Sequence, residues 1–316
     1  MTADIEQPPI LLLMGPTASG KSALAIALAQ ALNGEVISVD SAQVYRGMDI
    51  GTAKPSLEER EGVPHHLLDL LDPLDPYSAG QFLSDATTLI ANLLERGKRP
   101  ILAGGTLLYF RALQQGLSKL PPRDPAVRER LSALARSQGL AALHQQLKRI
   151  DPEAALRIHP NDPQRIQRAL ELFEITGKPM SLLQRETPPQ GAPYRWLPCL
   201  LAPSDRAHHQ QQMVDRFKAM LKKGLIDEVQ GLRSRGDLHP DLPSMRAVGY
   251  RQVWSYLDGK TSLPALEDSA AIATRQFAKR QMTWLRQESV LHRWQSENPD
   301  LLKTALQDLS PWILGA

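Results

Sequence analysis

A glycine-bounded loop near the start of the sequence has the residue types and the spacing of a phosphate-binding loop. From Gly15 to Ser22 the chain reads Gly-Pro-Thr-Ala-Ser-Gly-Lys-Ser, which fits the pattern G-x-x-x-x-G-K-[S/T]. Backbone N–H groups in such a loop, together with the positive end of the helix that follows it, hold an anionic phosphate without reorganisation. Lys21 adds a point charge for phosphate oxygens, and the Ser22 hydroxyl is a ligand type that suits Mg²⁺. We therefore predict a phosphate site, and the loop by itself suggests a bound nucleotide.

A carboxylate follows the second apolar run of the sequence. Asp40 comes directly after Val36–Val39, so it should stand at the end of a strand. A carboxylate in that place could bind magnesium or take a proton from a nucleophile. Alternatively it could cap the next turn, which an Asp-Ser pair does well. The position at a strand end favours the functional role.

Two further polar positions could act on a substrate. The stretch 40–55 is too polar and too rich in glycine for a core element, and within it Gln43 carries a donor and an acceptor for the edge of a nucleic-acid base. A solvated loop would have a similar composition. Thr106 follows two glycines at the end of another apolar run, where the backbone can approach a ligand closely. Its hydroxyl could bond Asp40 or a phosphate oxygen, and it could also cap a helix.

Basic side chains recur on helical segments in positions that suit RNA. Arg165 and Arg168 are three residues apart and share a helical face, and the segment 275–286 interleaves cations with aromatic residues. A solvated helix face would look the same for either segment taken alone. Together with Arg246 and Arg251 they indicate basic surface on both parts of the chain, which suits a folded RNA.

The elements that must position these residues alternate between strand and helix in the first third of the chain. The predicted strands cover Ile10–Met14, Glu35–Val39 and Pro100–Gly104, and the predicted helices cover Ala23–Leu32 and Ser78–Arg96. This alternation predicts an α/β fold, with a parallel sheet flanked by helices and ligands bound at the carboxyl ends of the strands. The phosphate loop, Asp40 and Thr106 each follow such an end, so we expect them to lie together.

The pattern changes near residues 120–125, after which helical periodicity replaces the alternation until a further apolar run at Arg195–Leu201. The chain of 316 residues is longer than one core usually supports, so two domains, or one domain with a large insertion, are expected. We predict a P-loop core made of residues 1–116 and 195–316. An all-helical insertion domain, residues 117–194, should interrupt it.

Composition places the chain among ordinary globular proteins. The net charge of +3 neither requires nor excludes a nucleic-acid partner. Cys199 is the only cysteine, which rules out an internal disulfide, and its apolar neighbours indicate a buried thiol. Asp4 and Glu6 make the start of the chain unlike a signal peptide, and no apolar stretch approaches the roughly 20 residues that span a bilayer. We expect a cytoplasmic protein without a membrane partner. The histidines show no recognised zinc spacing.

Five motifs together resemble bacterial tRNA dimethylallyltransferases. They are the segments 15–22, 38–55, 104–109, 161–165 and 246–252, and the resemblance runs from about residue 10 to residue 286. The resemblance implies transfer of a dimethylallyl group from dimethylallyl diphosphate to N6 of the adenosine immediately 3′ of the tRNA anticodon. It also implies Mg²⁺ as the cofactor, a channel through the P-loop core, and an insertion domain that clamps the anticodon stem-loop. A monomer is expected.

The same resemblance implies roles for individual residues. Asp40 would be the general base, Thr106 would orient Asp40 or the diphosphate, and Gln43 would hold the adenine edge after the base is flipped out. The diphosphate would contact Gly15, Thr17, Ala18, Ser19, Gly20, Lys21, Ser22 and Arg216, with Mg²⁺ near Ser22. The tRNA would contact Asp40, Ser41, Ala42, Gln43, Thr106, Arg128, Gln164, Arg165, Ile166, Gln167, Arg168, Arg246, Arg251, Lys279, Arg280 and Arg286.

Two other functions use the same residues. A small-molecule kinase would place ATP on the phosphate loop and would need an adenine pocket and a phosphoryl acceptor site. An RNA-binding module would keep the loop only as a structural element and would have no turnover.

Overall fold

A computed structural model describes residues 9–313 as two compact units. Among these residues, the first unit comprises residues 9–114 and 193–313, and the second comprises Gln115–Ala192. Asp4 and Glu6, on which the expected absence of a signal peptide depends, lie outside the described residues. The second unit therefore begins and ends two residues earlier than the predicted insertion, residues 117–194.

The first unit is built on a six-stranded sheet in which every pair of neighbours is parallel. Its strands lie in the order β3-β2-β4-β1-β5-β6. They are β1 (Ile10–Met14), β2 (Gly34–Val39), β3 (His65–His66), β4 (Arg99–Gly104), β5 (Trp196–Ala202) and β6 (His292–Gln295). This arrangement confirms the predicted α/β fold with a parallel sheet.

The register of the central strands brings the predicted site residues to one level. Met14 pairs with Gly104, and Gly104 pairs with Val39 on its other side. The phosphate loop therefore leaves β1 at the same edge of the sheet where Asp40 follows β2. Such an edge, at the carboxyl ends of parallel strands, is where this class of fold binds ligands.

Helices cover both faces of the sheet because the central strand is apolar on both. Ile10, Leu12 and Met14 pack into a cluster with helices α2 and α3, while Leu11 and Leu13 pack into another with α1 and α13. The helices of this unit are α1 (Lys21–Ala31), α2 (Ala79–Glu95), α3 (Leu107–Gln115), α9 (Arg206–Lys222), α10 (Leu225–Ser234), α11 (Tyr250–Leu257), α12 (Leu263–Leu285) and α13 (Leu301–Ile313). Across residues 9–313, no helix has both the length and the apolar character that crossing a bilayer requires.

The second unit consists of five helices around its own apolar core, which includes Leu131, Leu147 and Leu170. They are α4 (Pro125–Gln138), α5 (Leu140–Ile150), α6 (Pro152–Arg157), α7 (Pro163–Thr176) and α8 (Met180–Glu186). Three of them begin at an Asp-Pro pair. In each pair the aspartate accepts backbone N–H groups of the first turn and proline occupies the position after it, where its missing N–H costs nothing.

The one cysteine lies in β5 and is fully buried. Burial raises the pKa of the Cys199 thiol to about 12, so the thiolate is not formed near neutral pH. This agrees with the expected structural role.

Candidate functional site

A cavity of about 1000 Å³ opens in the first unit and collects most of the predicted diphosphate contacts, together with Asp40 and Gln43. Its walls come from the phosphate loop, the ends of β2 and β4, the loop 49–61, and helices α9 and α12. Residues of these walls include Thr17, Ala18, Ser19, Gly20, Lys21, Ser22, Asp40, Gln43, Gly105, Arg216, Met220, Phe277 and Gln281.

The phosphate loop leaves the first N–H groups of α1 without a side-chain cap. Gly20 is the N-cap residue, and it adopts a left-handed φ of 79° that glycine accepts at no steric cost. The helix begins at Lys21, two residues earlier than predicted, so Lys21 and Ser22 belong to its first turn. Ser22 and Ala23 are exposed at this end. Uncapped N–H groups at an exposed helix start are suited to bind an anion.

Lys21, Arg216 and Asp40 are charged side chains of the cavity lining that act on one another. The Lys21 Nζ donates a 2.6 Å hydrogen bond to the carbonyl of Pro16. Burial and the charge of Arg216 lower the pKa of Lys21 to about 7, against the opposing effect of Asp40. Burial likewise lowers the pKa of Arg216, again opposed by Asp40. An anion bound here would relieve the repulsion between the two cations.

Asp40 caps the turn that follows it and also faces the cavity. Its Oδ1 accepts backbone N–H groups from Ala42 at 2.8 Å and Gln43 at 3.3 Å. The capping role that the sequence left open is present, and the carboxylate that makes it also lines the cavity. The Thr106 hydroxyl accepts a 3.1 Å hydrogen bond from the backbone N–H of Ser41, so in this structure its partner is Ser41 and not Asp40.

The amide of Gln43 is held at both ends. Its Oε1 accepts a 2.9 Å hydrogen bond from the Ser38 hydroxyl, and its Nε2 donates to the carbonyls of Thr52 and Ala53, both at 3.3 Å. Both amide hydrogens are thus used inside the protein. What remains for a base is the second lone pair of Oε1.

Gln281 joins two parts of the site, and sequence reasoning did not single it out. Its Oε1 accepts the backbone N–H of Thr17 at 2.9 Å, and its Nε2 donates to the carbonyl of Gly105 at 3.0 Å. A Cβ at position 105 would lie 2.3 Å from this Nε2, so only glycine leaves room for the contact. The one sequence signal is a polar residue at a buried position of α12, between Ala278 and Leu285.

His209 holds the backbone of the same residue, Thr17, through its carbonyl. Its Nε2 lies 2.8 Å from the carbonyl oxygen of Thr17 and is buried within α9. Thr17 is therefore fixed through both its N–H and its carbonyl, and its side-chain hydroxyl is the group left for a ligand. This sharpens the predicted diphosphate contact of Thr17.

In the second unit, a buried carboxylate holds two arginines that were predicted to contact RNA. Glu171 is fully buried and accepts from Arg128 Nε at 3.0 Å, Arg168 at 2.8 Å and the backbone N–H of Asp124 at 2.9 Å. Burial raises the pKa of Glu171, but these hydrogen bonds outweigh it and hold the pKa below the usual value. The bonds to Glu171 give both arginines a structural role. Their side chains are also partly exposed, which leaves surface for a contact with RNA.

The remaining predicted RNA contacts separate by exposure. Ile166 is fully buried in the core of the second unit, so its side chain has no surface to offer RNA, a correction to the prediction. Gln167 donates to the Arg128 carbonyl and to the Ser132 hydroxyl. The exposed candidates are Gln164 and Arg165 in the second unit and Ser41, Arg246, Arg251, Lys279, Arg280 and Arg286 in the first, with Ala42 partly exposed.

The donors that could hold Mg²⁺ are oxygens. Within residues 9–313 no group of three histidine, cysteine or acidic side chains is arranged to hold a metal ion. The Ser22 hydroxyl faces the cavity beside the uncapped helix end. One hydroxyl with substrate phosphate oxygens and water is a donor set that Mg²⁺ accepts, so the residues fit the ion only when the diphosphate is bound.

The sheet order, the phosphate loop at its carboxyl edge and a cavity lined by Lys21 and Arg216 define a P-loop protein with a polyanion site. A family model described as IPP transferase matches residues 43–288. The tRNA dimethylallyltransferase of Methylococcus capsulatus is 53% identical over 304 residues, covering 96% of this chain and 97% of that protein. The enzyme of the same name from Burkholderia cenocepacia is 56% identical over 291 residues, covering 90% of each chain.

Solved structures agree with the sequence comparisons. The full-length tRNA isopentenylpyrophosphate transferase from Bacillus halodurans superimposes with a TM-score of 0.72 at 38% identity, covering 97% of both chains. A eukaryotic dimethylallyltransferase acting on tRNA superimposes with a TM-score of 0.80 at 28% identity, covering 98% of this chain and 80% of that one. The chain belongs to the IPP transferase family of tRNA dimethylallyltransferases, which confirms the resemblance found in the sequence.

Proposed function

We propose that this chain transfers a dimethylallyl group from dimethylallyl diphosphate to N6 of the adenosine immediately 3′ of the anticodon in tRNA. The products are N6-(dimethylallyl)adenosine and diphosphate. Family membership supports this reaction. The observation in the structure that carries it is a single cavity that combines a phosphate loop, two cations and a carboxylate.

The phosphate loop holds a leaving group in this proposal. As the allylic C–O bond breaks, negative charge grows on the diphosphate, and donors placed beside it stabilise the transition state more than the bound substrate. The first N–H groups of α1, Lys21 and Arg216 are these donors. We propose that Ser22 and the diphosphate oxygens hold Mg²⁺, which when bound neutralises the charge that develops on the leaving oxygen.

Asp40 receives the proton that the adenine amine must lose. An exocyclic amine is a weak nucleophile, and a carboxylate beside it makes attack on the allylic carbon easier by general-base catalysis. Because Oδ1 already accepts the N–H groups of Ala42 and Gln43, we assign proton transfer to Oδ2. The bond between Thr106 and the backbone of Ser41 fixes the turn that carries this carboxylate.

Gln43 receives the base in the same cavity. With both amide hydrogens bound to Thr52 and Ala53, its oxygen can accept one hydrogen of the adenine amine while the other passes to Asp40. A base must leave its stack to reach such a cavity, which is the usual behaviour of enzymes that modify bases.

The RNA partner is the anticodon stem-loop of tRNA. Exposed cations on both units support this part of the proposal, since neutralising phosphates provides most of the affinity for a folded RNA. We propose that the chain acts as a monomer in the cytoplasm.

Nucleoside analysis of tRNA from cells that lack this protein tests the proposed function. We expect N6-(dimethylallyl)adenosine to disappear and to return when the intact chain is supplied, but not when Asp40→Asn is supplied. Unchanged tRNA nucleosides in the deletion strain would contradict the proposal.

A further inference from the structure

A carboxylate outside the predicted site binds three consecutive backbone N–H groups of the loop that follows Gln43. Glu228 lies in the first turn of α10, and its Oε2 accepts from Asp49 at 3.0 Å and Ile50 at 2.7 Å. Its Oε1 accepts from Gly51 at 3.2 Å and from the hydroxyl of Tyr250 at 2.5 Å. Successive N–H groups of this kind form a site for an anion, and here the anion is part of the chain.

Tyr250 closes the contact from the opposite side. It is fully buried, and a Cβ at position 51 would lie 2.4 Å from its ring, so the loop backbone packs directly against the aromatic ring. Burial and the neighbouring charge of Glu228 raise the pKa of the Tyr250 hydroxyl, which keeps it a donor. Glu228 therefore has four hydrogen-bond donors aimed at it.

The bound loop is the one that holds the Gln43 amide. After residues 49–51 the chain turns back, with the Ala53 N–H bonded to the Ile50 carbonyl at 3.0 Å. The carbonyls of Thr52 and Ala53 then accept both hydrogens of Gln43 Nε2. Glu228 thus holds the loop at the residues directly before the two carbonyls that bind the Gln43 amide.

We infer that Glu228, with Tyr250, is a positioning residue that sets the Gln43 amide for the adenine of the target nucleotide. The inference rests on the proposed function. It goes further because it assigns the placement of the adenine base to Glu228 of α10. The four hydrogen bonds of Glu228 given above do not involve the phosphate loop. A carboxylate is required because it offers two acceptor oxygens, whereas an amide would turn a donor group toward two N–H groups or toward Gly51 and Tyr250.

Three single variants of the full chain separate positioning from general stability. Glu228→Gln removes one acceptor oxygen, and Tyr250→Phe removes only the hydroxyl while it keeps the ring against the loop. Asp227→Asn is the matched control, since Asp227 is the exposed neighbour in the same helical turn. Steady-state kinetics with dimethylallyl diphosphate and an anticodon stem-loop give kcat and both KM values. A second stem-loop carries 2-aminopurine at the nucleotide next to the target adenosine. It keeps the N6 amine of the target, and its fluorescence reports whether the target base leaves the stack.

We expect Glu228→Gln to lower kcat about tenfold or more while the KM for dimethylallyl diphosphate changes less than about twofold. The rise in 2-aminopurine fluorescence should shrink with it. Tyr250→Phe should shift the same quantities in the same direction by a smaller factor, and it carries the test if Glu228→Gln does not fold. Asp227→Asn should match the wild type.

The outcomes distinguish this inference from the proposed function. If the wild type forms no prenylated RNA, the proposed function fails and the inference fails with it. If the wild type is active and both variants match Asp227→Asn, the inference alone is overturned. If both KM values rise equally and the fluorescence change is retained, the variants have loosened the fold in general, and the inference is overturned as well.

Discussion

The positive charge of Arg216 lowers the pKa of the Lys21 ammonium. Burial of Lys21 is the larger cause, and together they bring the Lys21 pKa to about 7. Two cations are thus kept side by side in one cavity, with Asp40 opposing the shift. A bound diphosphate reverses the balance, because a nearby opposite charge favours the protonated amine.

We predict that diphosphate binding takes up a proton at Lys21. Above pH 7 the Lys21 amine of the free protein is mostly neutral, and the bound anion raises its pKa, so affinity should fall as pH rises above 7. Titration calorimetry at pH 8 in two buffers of different ionisation enthalpy measures the uptake. Lys21→Met is the control and should show none. Equal uptake in both proteins would contradict the assignment to Lys21.

We predict that Asp40→Asn lowers kcat on the order of 10²-fold while affinity for the stem-loop stays unchanged. Asparagine retains an oxygen to accept the N–H groups of Ala42 and Gln43, so the turn is preserved and only the base is lost. The assay uses saturating dimethylallyl diphosphate, because the bound anion favours the protonated form of Lys21 in both proteins. Normal turnover would remove Asp40 as the base.

We predict that Gln281→Met weakens binding of dimethylallyl diphosphate about tenfold, since the Thr17 N–H and the Gly105 carbonyl both lose their partner. Gln276→Met is the matched control, because Gln276 is exposed on the same helix. Direct binding measurements with the diphosphate alone separate this effect from RNA contacts of α12. Equal affinity in the two variants would show that the bridge does not position the loop.

We predict different effects for two arginines of α7. Arg165 is exposed, so Arg165→Gln should reduce the slope of log affinity against log salt by about one and leave stability unchanged. Arg168→Gln should in addition destabilise the second unit by about 1–3 kcal/mol, because buried Glu171 loses a partner. Filter binding at several salt concentrations and hydrogen exchange in α7 test the two parts. Identical exchange in both variants would show that the bond to Glu171 is not structural.

Much of the fold follows from local patterns in the sequence. The strand Ile10–Met14 was predicted to the residue, because an apolar run before a phosphate loop has few alternatives. Parallel strands of one sheet end at the same edge, so Asp40 could be placed beside the phosphate loop from the strand pattern alone. The Asp-Pro pairs that begin three helices of the second unit are local signals of the same kind.

The supporting contacts could not be predicted because they join residues far apart in sequence. Gln281 meets Thr17 across 264 positions, and Glu228 meets Ile50 across 178, so no spacing rule links them. Arg168 is the opposite case. Glu171 stands three positions later on the same helix, and that spacing could have shown that the arginine has an internal partner.

The central claim is that the cavity holds a prenyl diphosphate as a leaving group, and one double-label experiment tests it most directly. The chain is incubated with tRNA, Mg²⁺, dimethylallyl diphosphate labelled in the prenyl group and ATP labelled in the γ-phosphate. We expect the prenyl label on N6 of the adenosine 3′ of the anticodon and no phosphate label on RNA. Phosphate label transferred from ATP, with no prenyl label on RNA, would contradict the account.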